Sequence, residues 1–208
     1  MERLLNGTVE FRNSDFQAHK TLFEELGNQQ HPHTLFIGCS DSRVDPRMIT
    51  NTFPGEIFVI RNIANIVPKY RNSEEYLATT SAIEYAVKVL GVENIVVCGH
   101  SNCGGCNALY LSDEKLKAIP HTKKWLELAK TAKDKVLEII PDRADIPARE
   151  WMTEQANVLE QMKHLFTYPF IKEKFQAEKL KIYGWHYIIE TGEVLCYDKV
   201  KGYFELLN

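Results

Sequence analysis

Two short segments of the chain carry cysteine and histidine side chains that could bind a metal ion. Cys39 is followed closely by Asp41 and Arg43, and much further along the chain His100 and Cys103 lie three positions apart. A thiolate is a soft ligand and an imidazole is a borderline one, so this mixture favours zinc over magnesium or calcium. Two cysteines and one histidine, with a fourth position left to water or to a movable group, are typical of a catalytic zinc site.

Each of these segments follows a short apolar run that predicts a buried strand. Residues 33–38 precede Cys39, and residues 94–98 precede His100 and Cys103. Open α/β folds bind their ligands at the carboxyl ends of parallel strands, so we expect both segments at one edge of a sheet. The sequence therefore predicts a site that is assembled from two strand ends.

The second segment also allows other interpretations. Cys103 and Cys106 form a C-x-x-C pair, which occurs in thiol redox proteins and as one half of structural zinc sites. A structural site would need a second such pair, which the sequence lacks. A redox pair would not need Asp41 or Arg43 beside a distant cysteine. A metal site is therefore the favoured hypothesis, and a buried thiol pair is the alternative.

Length and composition limit the kinds of protein that this chain can be. The chain has 208 residues, which is long enough for one α/β domain with a sizeable core. Its formal net charge is −3 and it contains no basic run, so we expect no nucleic-acid partner. It shows neither a signal-peptide pattern nor an apolar run of membrane-spanning length, so we expect no membrane partner and a cytoplasmic location, where thiols stay reduced.

Hydrophobic periodicity and turn signals predict an α/β fold: a mainly parallel central sheet with an antiparallel edge strand, flanked by helices. A further strand is predicted at 56–60, and a closing antiparallel hairpin at 180–189 and 194–197. Residues 1–27 predict an N-terminal helical arm within a single domain that spans 1–208. Other helices are predicted at residues 44–49, 73–90 with Ser73 as N-cap, 121–140, 147–165 and after Tyr168.

Several side chains outside the two metal-binding segments are expected to have structural roles. Cys98 and Cys196 lie in predicted strands and are expected to be buried thiols rather than disulfide partners. His121 and His164 lie on predicted helices, where solvation or packing is the expected role. Trp151 is predicted to face the core.

Taken together, the motifs resemble the β-class carbonic anhydrases, and among them the bacterial members that are similar to the plant-type (type I) subgroup. The likeness runs from Gln30 to the closing hairpin and includes three separated motifs in the order found in that family. These are Cys39-Ser-Asp41-Ser-Arg43, Arg61-Asn62-Ile63-Ala64-Asn65 and Gly99-His100-Ser-Asn-Cys103-Gly104-Gly105.

The resemblance implies a zinc lyase that reversibly hydrates carbon dioxide to bicarbonate and a proton by attack of zinc-bound hydroxide. It implies one Zn²⁺ per chain, bound by Cys39, His100 and Cys103. Asp41 and Arg43 would form a dyad that controls the fourth zinc position: Asp41 either pairs with Arg43 or moves in and ligates zinc. The implied partners are carbon dioxide and bicarbonate, together with a homo-oligomer built from dimers, and the implied physiological field is carbon utilization.

The resemblance also implies which residues contact the substrate. Gln30 matches a polar residue that binds substrate or product, contributed by the other subunit of a dimer. Phe58, Ile63 and Tyr85 match the walls of a narrow apolar pocket. The backbone N–H of Gly104 would lie near a substrate oxygen.

One position departs from the pattern of some family members. Those members bind a regulatory bicarbonate through a Trp, an Arg and a Tyr, and the matching residues here are Phe36, Arg61 and Tyr187. Phe36 has no N–H to donate to an anion. We therefore expect that this protein lacks the bicarbonate switch and holds Asp41 paired with Arg43 near neutral pH.

Three other functions remain open at this point. Relatives with the same ligand set hydrolyse carbon disulfide or carbonyl sulfide, and only substrate assays would separate these activities. A non-catalytic zinc-binding module is a second alternative, although a closed site would not need the Asp41–Arg43 pair. The third alternative is a thiol redox protein that uses Cys103 and Cys106.

Overall fold

The computed structural model describes residues 1–72, 77–141 and 145–207. The chain divides into two compact units, Met1–His31 and Pro32–Asn208. The first unit contains α1 (Glu2–Asn13), α2 (Asp15–Ala18) and α3 (Lys20–Leu26), which confirms the predicted helical arm. Its apolar side chains include a cluster of three aromatic rings: Phe11, Phe16 and Phe23. That residues 1–208 form a single domain stays a prediction.

The second unit is built on a sheet that, among the described residues, has six strands in the order β2-β1-β3-β4-β5-β6. The strands are β1 (Thr34–Cys39), β2 (Ile57–Asn62), β3 (Asn94–His100), β4 (Lys181–Tyr187), β5 (Val194–Asp198) and β6 (Tyr203–Leu206). Strands β1 to β4 pair in parallel. β5 is antiparallel to β4, and β6 is antiparallel to β5. The predicted fold class is therefore confirmed, and β6 is an addition that follows a turn at Gly202, where φ is 80°.

Strands β1 and β3 run one to two residues further than predicted at their carboxyl ends. Cys39 and His100 are consequently the last residues of their strands, and they do not lie in the loops that follow. Because β1 and β3 are adjacent and parallel, with Gly38 opposite Cys98, these strand ends meet at one edge of the sheet.

Helices flank the sheet, and most lie where they were predicted. Those of the second unit are α4 (Pro46–Thr50), α5 (Ala78–Glu84), α6 (Gly104–Ala108), α7 (Asp113–Lys117), α8 (Pro120–Leu126), α9 (Lys130–Ile139), α10 (Ile146–Leu165) and α11 (Pro169–Gln176). A π-helical turn, Tyr85–Val89, continues α5, and Gly91 with φ 69° follows it. The predicted N-cap Ser73 lies outside the described residues. No helix in the described ranges is long and apolar enough to cross a bilayer.

The single helix predicted at 121–140 is wrong in one respect, because a 3-10 turn at Glu127–Ala129 separates α8 from α9. The buried residues Leu126, Ala129 and Ala132 are spaced by three. A 3-10 turn has three residues per turn, so this interruption keeps all three apolar side chains on one face.

Helix α10 packs closely against β3 and β4 because two glycines leave room for it. A Cβ at Gly99 would lie 2.7 Å from Val158 Cγ2, and a Cβ at Gly184 would lie 2.5 Å from Met162 Sδ. Val158 and Met162 are buried in the main core as predicted. Trp151, which was predicted to face the core, is instead 39% exposed. The buried face of α10 at this level is occupied by polar residues, which are described below.

Candidate metal site

The carboxyl ends of β1 and β3 and the turn after β3 bring three candidate ligands together. Asn102 adopts a left-handed conformation with φ 55°, which Asn tolerates better than most residues and which turns the chain back after His100. Cys103 follows as the N-cap of α6. One ligand atom from each of Cys39, His100 and Cys103 lies within 4.8 Å of the others, and the two Sγ atoms are 4.0 Å apart.

These three residues fit a metal ion by their burial and by their free donor atoms. The side chains of Cys39, His100 and Cys103 are buried, at 4%, 0% and 1% exposure. His100 Nδ1 donates to the carbonyl oxygen of Ser101 at 2.9 Å, because that oxygen can only accept. This bond leaves the Nε2 lone pair directed at the cluster, where it has no hydrogen-bond partner among the described residues. Fixing one ring nitrogen so that the other can ligate is the usual arrangement at metal sites.

The two thiols of the cluster hold their protons strongly when no cation lies between them. The neighbouring Cys103 thiol and burial raise the pKa of Cys39 to about 12. Hydrogen bonding to Cys106 is the main cause that raises the pKa of Cys103 above its ordinary range. A bound cation would offset the repulsion between two thiolates, so metal binding at this cluster must release protons.

Asp41 lies beside the cluster and is held by Arg43 through two parallel hydrogen bonds. Arg43 Nε donates to Oδ1 at 2.9 Å and Nη2 donates to Oδ2 at 2.8 Å. The backbone N–H of Arg43 also donates to Oδ1, and Nη2 donates to the carbonyl oxygen of Asn102 at 3.0 Å. These bonds hold the pKa of Asp41 well below its usual range. Asp41 Oδ2 is 3.9 Å from His100 Nε2, so the carboxylate is close to the ligand atoms while paired with Arg43.

Arg61 has a positioning role that sequence reasoning did not assign to it. Its Nε donates to the carbonyl oxygen of Cys39 at 2.9 Å, and its Nη2 donates to that of Asp41 at 2.6 Å. The guanidinium therefore fixes the backbone that carries the first ligand and the acidic residue. Phe36 is fully buried, with its ring centroid 6.1 Å from that of Trp185. Phe36, an apolar residue, therefore occupies the position at which some members of the resembled family are expected to have a Trp that donates to an anion.

A face of α10 carries buried polar side chains, most of which bind backbone groups of other segments, and the sequence analysis missed it. Its buried polar side chains are Glu154, Asn157, Gln161 and His164. Asn157 Nδ2 donates to the carbonyl oxygen of Ala64, and Gln161 Oε1 accepts from the backbone N–H of Val67. His164 Nδ1 donates to the carbonyl oxygen of Val67 at 2.7 Å. The signal that could have revealed this face is the helical spacing of polar residues along an otherwise apolar stripe.

The residues implied as substrate contacts are found at several places. Ile63 lines a cavity of about 520 Å³, and Ser40, the residue after Cys39, lines the same cavity. Phe58 and Tyr85 pack against each other, with ring centroids 6.1 Å apart. Gln30 belongs to the first unit. Their contact with substrate, like that of Gly104 at the start of α6, stays a prediction.

The five cysteines all lie in the described part of the chain and are free thiols. Cys98 is fully buried and Cys196 is partly buried. Both are free thiols, which confirms that they are not paired with each other.

The two histidines that were expected to be solvated or packed lie away from the cluster. His121 is exposed and lines the cavity, and His164 is buried and donates a hydrogen bond to the carbonyl oxygen of Val67. Neither histidine belongs to the ligand cluster found among the described residues.

Two neighbouring glycines of α6 make a matched test of packing beside the cluster. A Cβ at Gly105 would lie 2.8 Å from Ala64 Cβ and 2.9 Å from Ile63 Cγ2. At Gly104 an added Cβ would have no described heavy atom within 4 Å. We expect Gly105→Ala to lower the free energy of unfolding by about 1–3 kcal/mol. Gly104→Ala should change it by less than about 1 kcal/mol. Urea unfolding of both variants measures this, and equal effects would contradict the packing argument.

His164 should make the stability of the protein depend on pH. Burial lowers the pKa of His164, with Lys69 adding to the effect and Glu160 opposing it. The folded protein therefore favours the neutral ring, whose stabilising effect is complete above the unfolded pKa of about 6.5 and is lost as pH falls. We expect the free energy of unfolding to fall between about pH 7.5 and pH 5, by at most about 1.4 kcal/mol per pH unit for this proton. His164→Gln should reduce the slope in urea titrations, and an unchanged slope would refute the assignment.

The chain is thus an α/β protein whose mainly parallel sheet carries a candidate metal site at one edge, with Cys39 and His100 at strand ends and Cys103 in the turn that follows. The protein-family model described as Carbonic anhydrase matches residues 34–194. The chain is 41% identical over 207 residues to a carbonic anhydrase of Helicobacter pylori, covering 99% of this chain and 93% of that relative.

Solved structures agree with this match. The structure of the β-carbonic anhydrase CcaA superposes with a TM-score of 0.94 at 38% identity, covering 100% of this chain and 92% of that one. A structure from two tetrameric β-carbonic anhydrases of Sordaria macrospora gives a TM-score of 0.82 at 32% identity, covering 94% and 95%. The chain belongs to the β class of the carbonic anhydrase family and is an enzyme of that family.

Proposed function

We propose that the protein reversibly hydrates carbon dioxide to bicarbonate and a proton, with one Zn²⁺ held by Cys39, His100 and Cys103. The observation that carries this proposal is the buried cluster of two thiols and one unpartnered imidazole nitrogen beside a carboxylate. Zinc bound there would lower the pKa of a bound water towards about 7, which makes hydroxide available at neutral pH.

The protein residues then have distinct roles at the site. Cys39 and Cys103 supply negative charge that matches the cation, and the carbonyl oxygen of Ser101 orients His100 as the neutral third ligand. Their burial excludes bulk water from the ligand atoms. Soft and borderline donors in this combination select zinc over the hard divalent cations.

Asp41 and Arg43 control access to the fourth position. Arg43 keeps Asp41 ionised and directs both carboxylate oxygens to its guanidinium, an arrangement that would hold the acid off a bound metal. Asp41 Oδ2 lies 3.9 Å from His100 Nε2. From there the ionised carboxylate can accept a hydrogen bond from a nucleophile and so orient it. The pairing with Arg43 supports the expectation that the open arrangement is the resting form of this protein.

Substrate would enter along apolar walls. Ile63 lines the cavity next to Ser40, and we propose that Phe58 and Tyr85 extend the apolar surface that carbon dioxide contacts. As the first residue of α6, Gly104 has a backbone N–H without an acceptor inside the helix. That N–H is the proposed donor to a substrate oxygen.

We further propose a cytoplasmic homo-oligomer that is built from dimers, with Gln30 contributed across the subunit boundary. β2 is an edge strand of the sheet, and apolar side chains on it and directly after it are partly exposed: Val59 by 37% and Ile63 by 42%. An apolar strand edge of this kind is a liability in a monomer and favours pairing with a second copy. The fungal relatives named above are described as tetrameric.

Stopped-flow hydration assays at about pH 8.5, where zinc-bound water is largely ionised, test the function. The protein is compared as purified, after chelation and after zinc is restored, with carbonyl sulfide and carbon disulfide as alternative substrates. We expect carbon dioxide hydration that is lost with the metal and returns with it. Zinc without hydration, or hydrolysis of the sulfur compounds alone, would overturn the proposal, and so would full activity in the absence of metal.

A further inference from the structure

A buried acid–histidine pair lies directly behind one candidate ligand. Glu154 on α10 is 2% exposed, and its Oε1 accepts from the backbone N–H of Cys103 at 2.9 Å. Its other oxygen, Oε2, is 3.1 Å from Nε2 of His186, a fully buried residue of β4. Both carboxylate oxygens of Glu154 therefore have a partner, and one partner is the backbone of a candidate ligand.

The hydrogen-bond geometry of the pair assigns a tautomer to His186. A carboxylate only accepts hydrogen bonds, so we assign the ring proton to Nε2, which then donates to Glu154 Oε2. The other ring nitrogen, Nδ1, has no hydrogen-bond partner among the described residues. A neutral ring with its proton on Nε2 leaves a lone pair at Nδ1, which costs less to bury than an unpaired charged N–H. His186 therefore acts as the donor that makes a carboxylate at this depth tolerable.

The surrounding packing holds the pair in place. His186 lies opposite Gly99 in the β3–β4 register, and Gly99 is one of the two residues whose missing side chain lets α10 approach the sheet. The Trp151 ring packs edge-on against the His186 ring, with centroids 4.7 Å apart. The partly exposed Trp151 side chain therefore lies against a fully buried partner.

We propose that His186 is a positioning residue of the metal site: it fixes Glu154, which in turn holds the backbone of Cys103 so that its thiol points at the ion. This inference rests on the proposed metal site and adds to it a residue that does not touch the metal. Without the N–H of His186, one oxygen of Glu154 would be buried without a partner. The carboxyl group would then turn away, and the backbone of Cys103 would lose its restraint.

The expected effect is on metal affinity. Loss of a partner that orients a ligand typically weakens metal binding by about 10–100-fold. We expect His186→Phe, which keeps a ring of similar shape but has no N–H, to weaken zinc binding at least about tenfold. His186→Gln, which restores an N–H donor, should recover most of the affinity. The visible spectrum of the Co²⁺-substituted protein should change in His186→Phe, because the geometry at Cys103 changes.

The experiment measures the zinc dissociation constant of the full chain by competition with a chromophoric chelator, and records the Co²⁺ spectra. His164→Phe is the matched control, because His164 is also a buried histidine but donates to the carbonyl oxygen of Val67, which is not a ligand. If His186→Phe does not fold, His186→Leu and His164→Leu replace the pair. Weakened binding in the His186 variant alone supports the proposal. Wild-type affinity in that variant, or equal weakening in both, would overturn it. A wild-type protein that binds no zinc would overturn the proposed metal site itself.

Discussion

Cys103→Ser is expected to lose its zinc and its activity together. A serine hydroxyl is a poor ligand for zinc, and Cys39 and His100 alone leave only two of the three protein ligands that an open zinc site needs. We expect less than about a tenth of an equivalent of zinc per chain and below about 1% of wild-type carbon dioxide hydration. Metal analysis by mass spectrometry and stopped-flow assays on the same preparation measure both quantities.

Cys106→Ala is the control for that experiment. Cys106 is buried one helical turn from Cys103 and forms the C-x-x-C pair with it, but it is not part of the ligand cluster. Its removal should leave zinc content and activity close to those of the wild type. If Cys106→Ala lost activity while Cys103→Ser kept its zinc, the thiol redox interpretation would replace the metal site.

Arg43→Met is expected to slow carbon dioxide hydration by about 10–100-fold at neutral pH. The substitution removes both side-chain hydrogen bonds to Asp41 and the bond to the carbonyl oxygen of Asn102. Asp41 Oδ2 already lies 3.9 Å from His100 Nε2, so an unrestrained carboxylate can reach the fourth position of the metal and exclude water. Zinc content should stay at one per chain, because the three ligands are untouched.

Two measurements separate this effect from a general loss of structure. The Co²⁺ spectrum of Arg43→Met should differ from that of the wild type, because a carboxylate replaces water as fourth ligand. Arg47→Met, at an arginine on α4, should leave both spectrum and activity unchanged. Wild-type activity in Arg43→Met would mean that Asp41 does not need its partner, and the dyad would have no role in controlling the fourth position.

The site could be predicted from the sequence where chemistry and chain order coincide. Cys39 and His100 each end an apolar run. Because parallel strands present their carboxyl ends at one sheet edge, the sequence was sufficient to predict that these two residues lie close together. Asp41 and Arg43 follow so closely after Cys39 that their pairing needs no long-range contact. The structure brings Cys39, His100 and Cys103 together at one sheet edge, and their binding of a metal stays a prediction.

Residues that contact each other only through tertiary packing could not be predicted from local sequence patterns. Glu154 and His186 are separated by 32 positions and meet only because α10 packs on β3 and β4. Local patterns place a polar residue on a helix but do not say which backbone group it will reach. Trp151 was misplaced for the same reason, because helical periodicity does not show that polar side chains occupy the inner face of α10.

X-ray absorption at the zinc edge on the protein as purified tests the central claim most directly. The account predicts one zinc per chain with two sulfur neighbours at about 2.3 Å and lighter nitrogen or oxygen neighbours at about 2.0 Å. A shell of four sulfur atoms would show a closed structural site that includes further cysteines. Absence of zinc would show that Cys39, His100 and Cys103 do not form the site proposed for them.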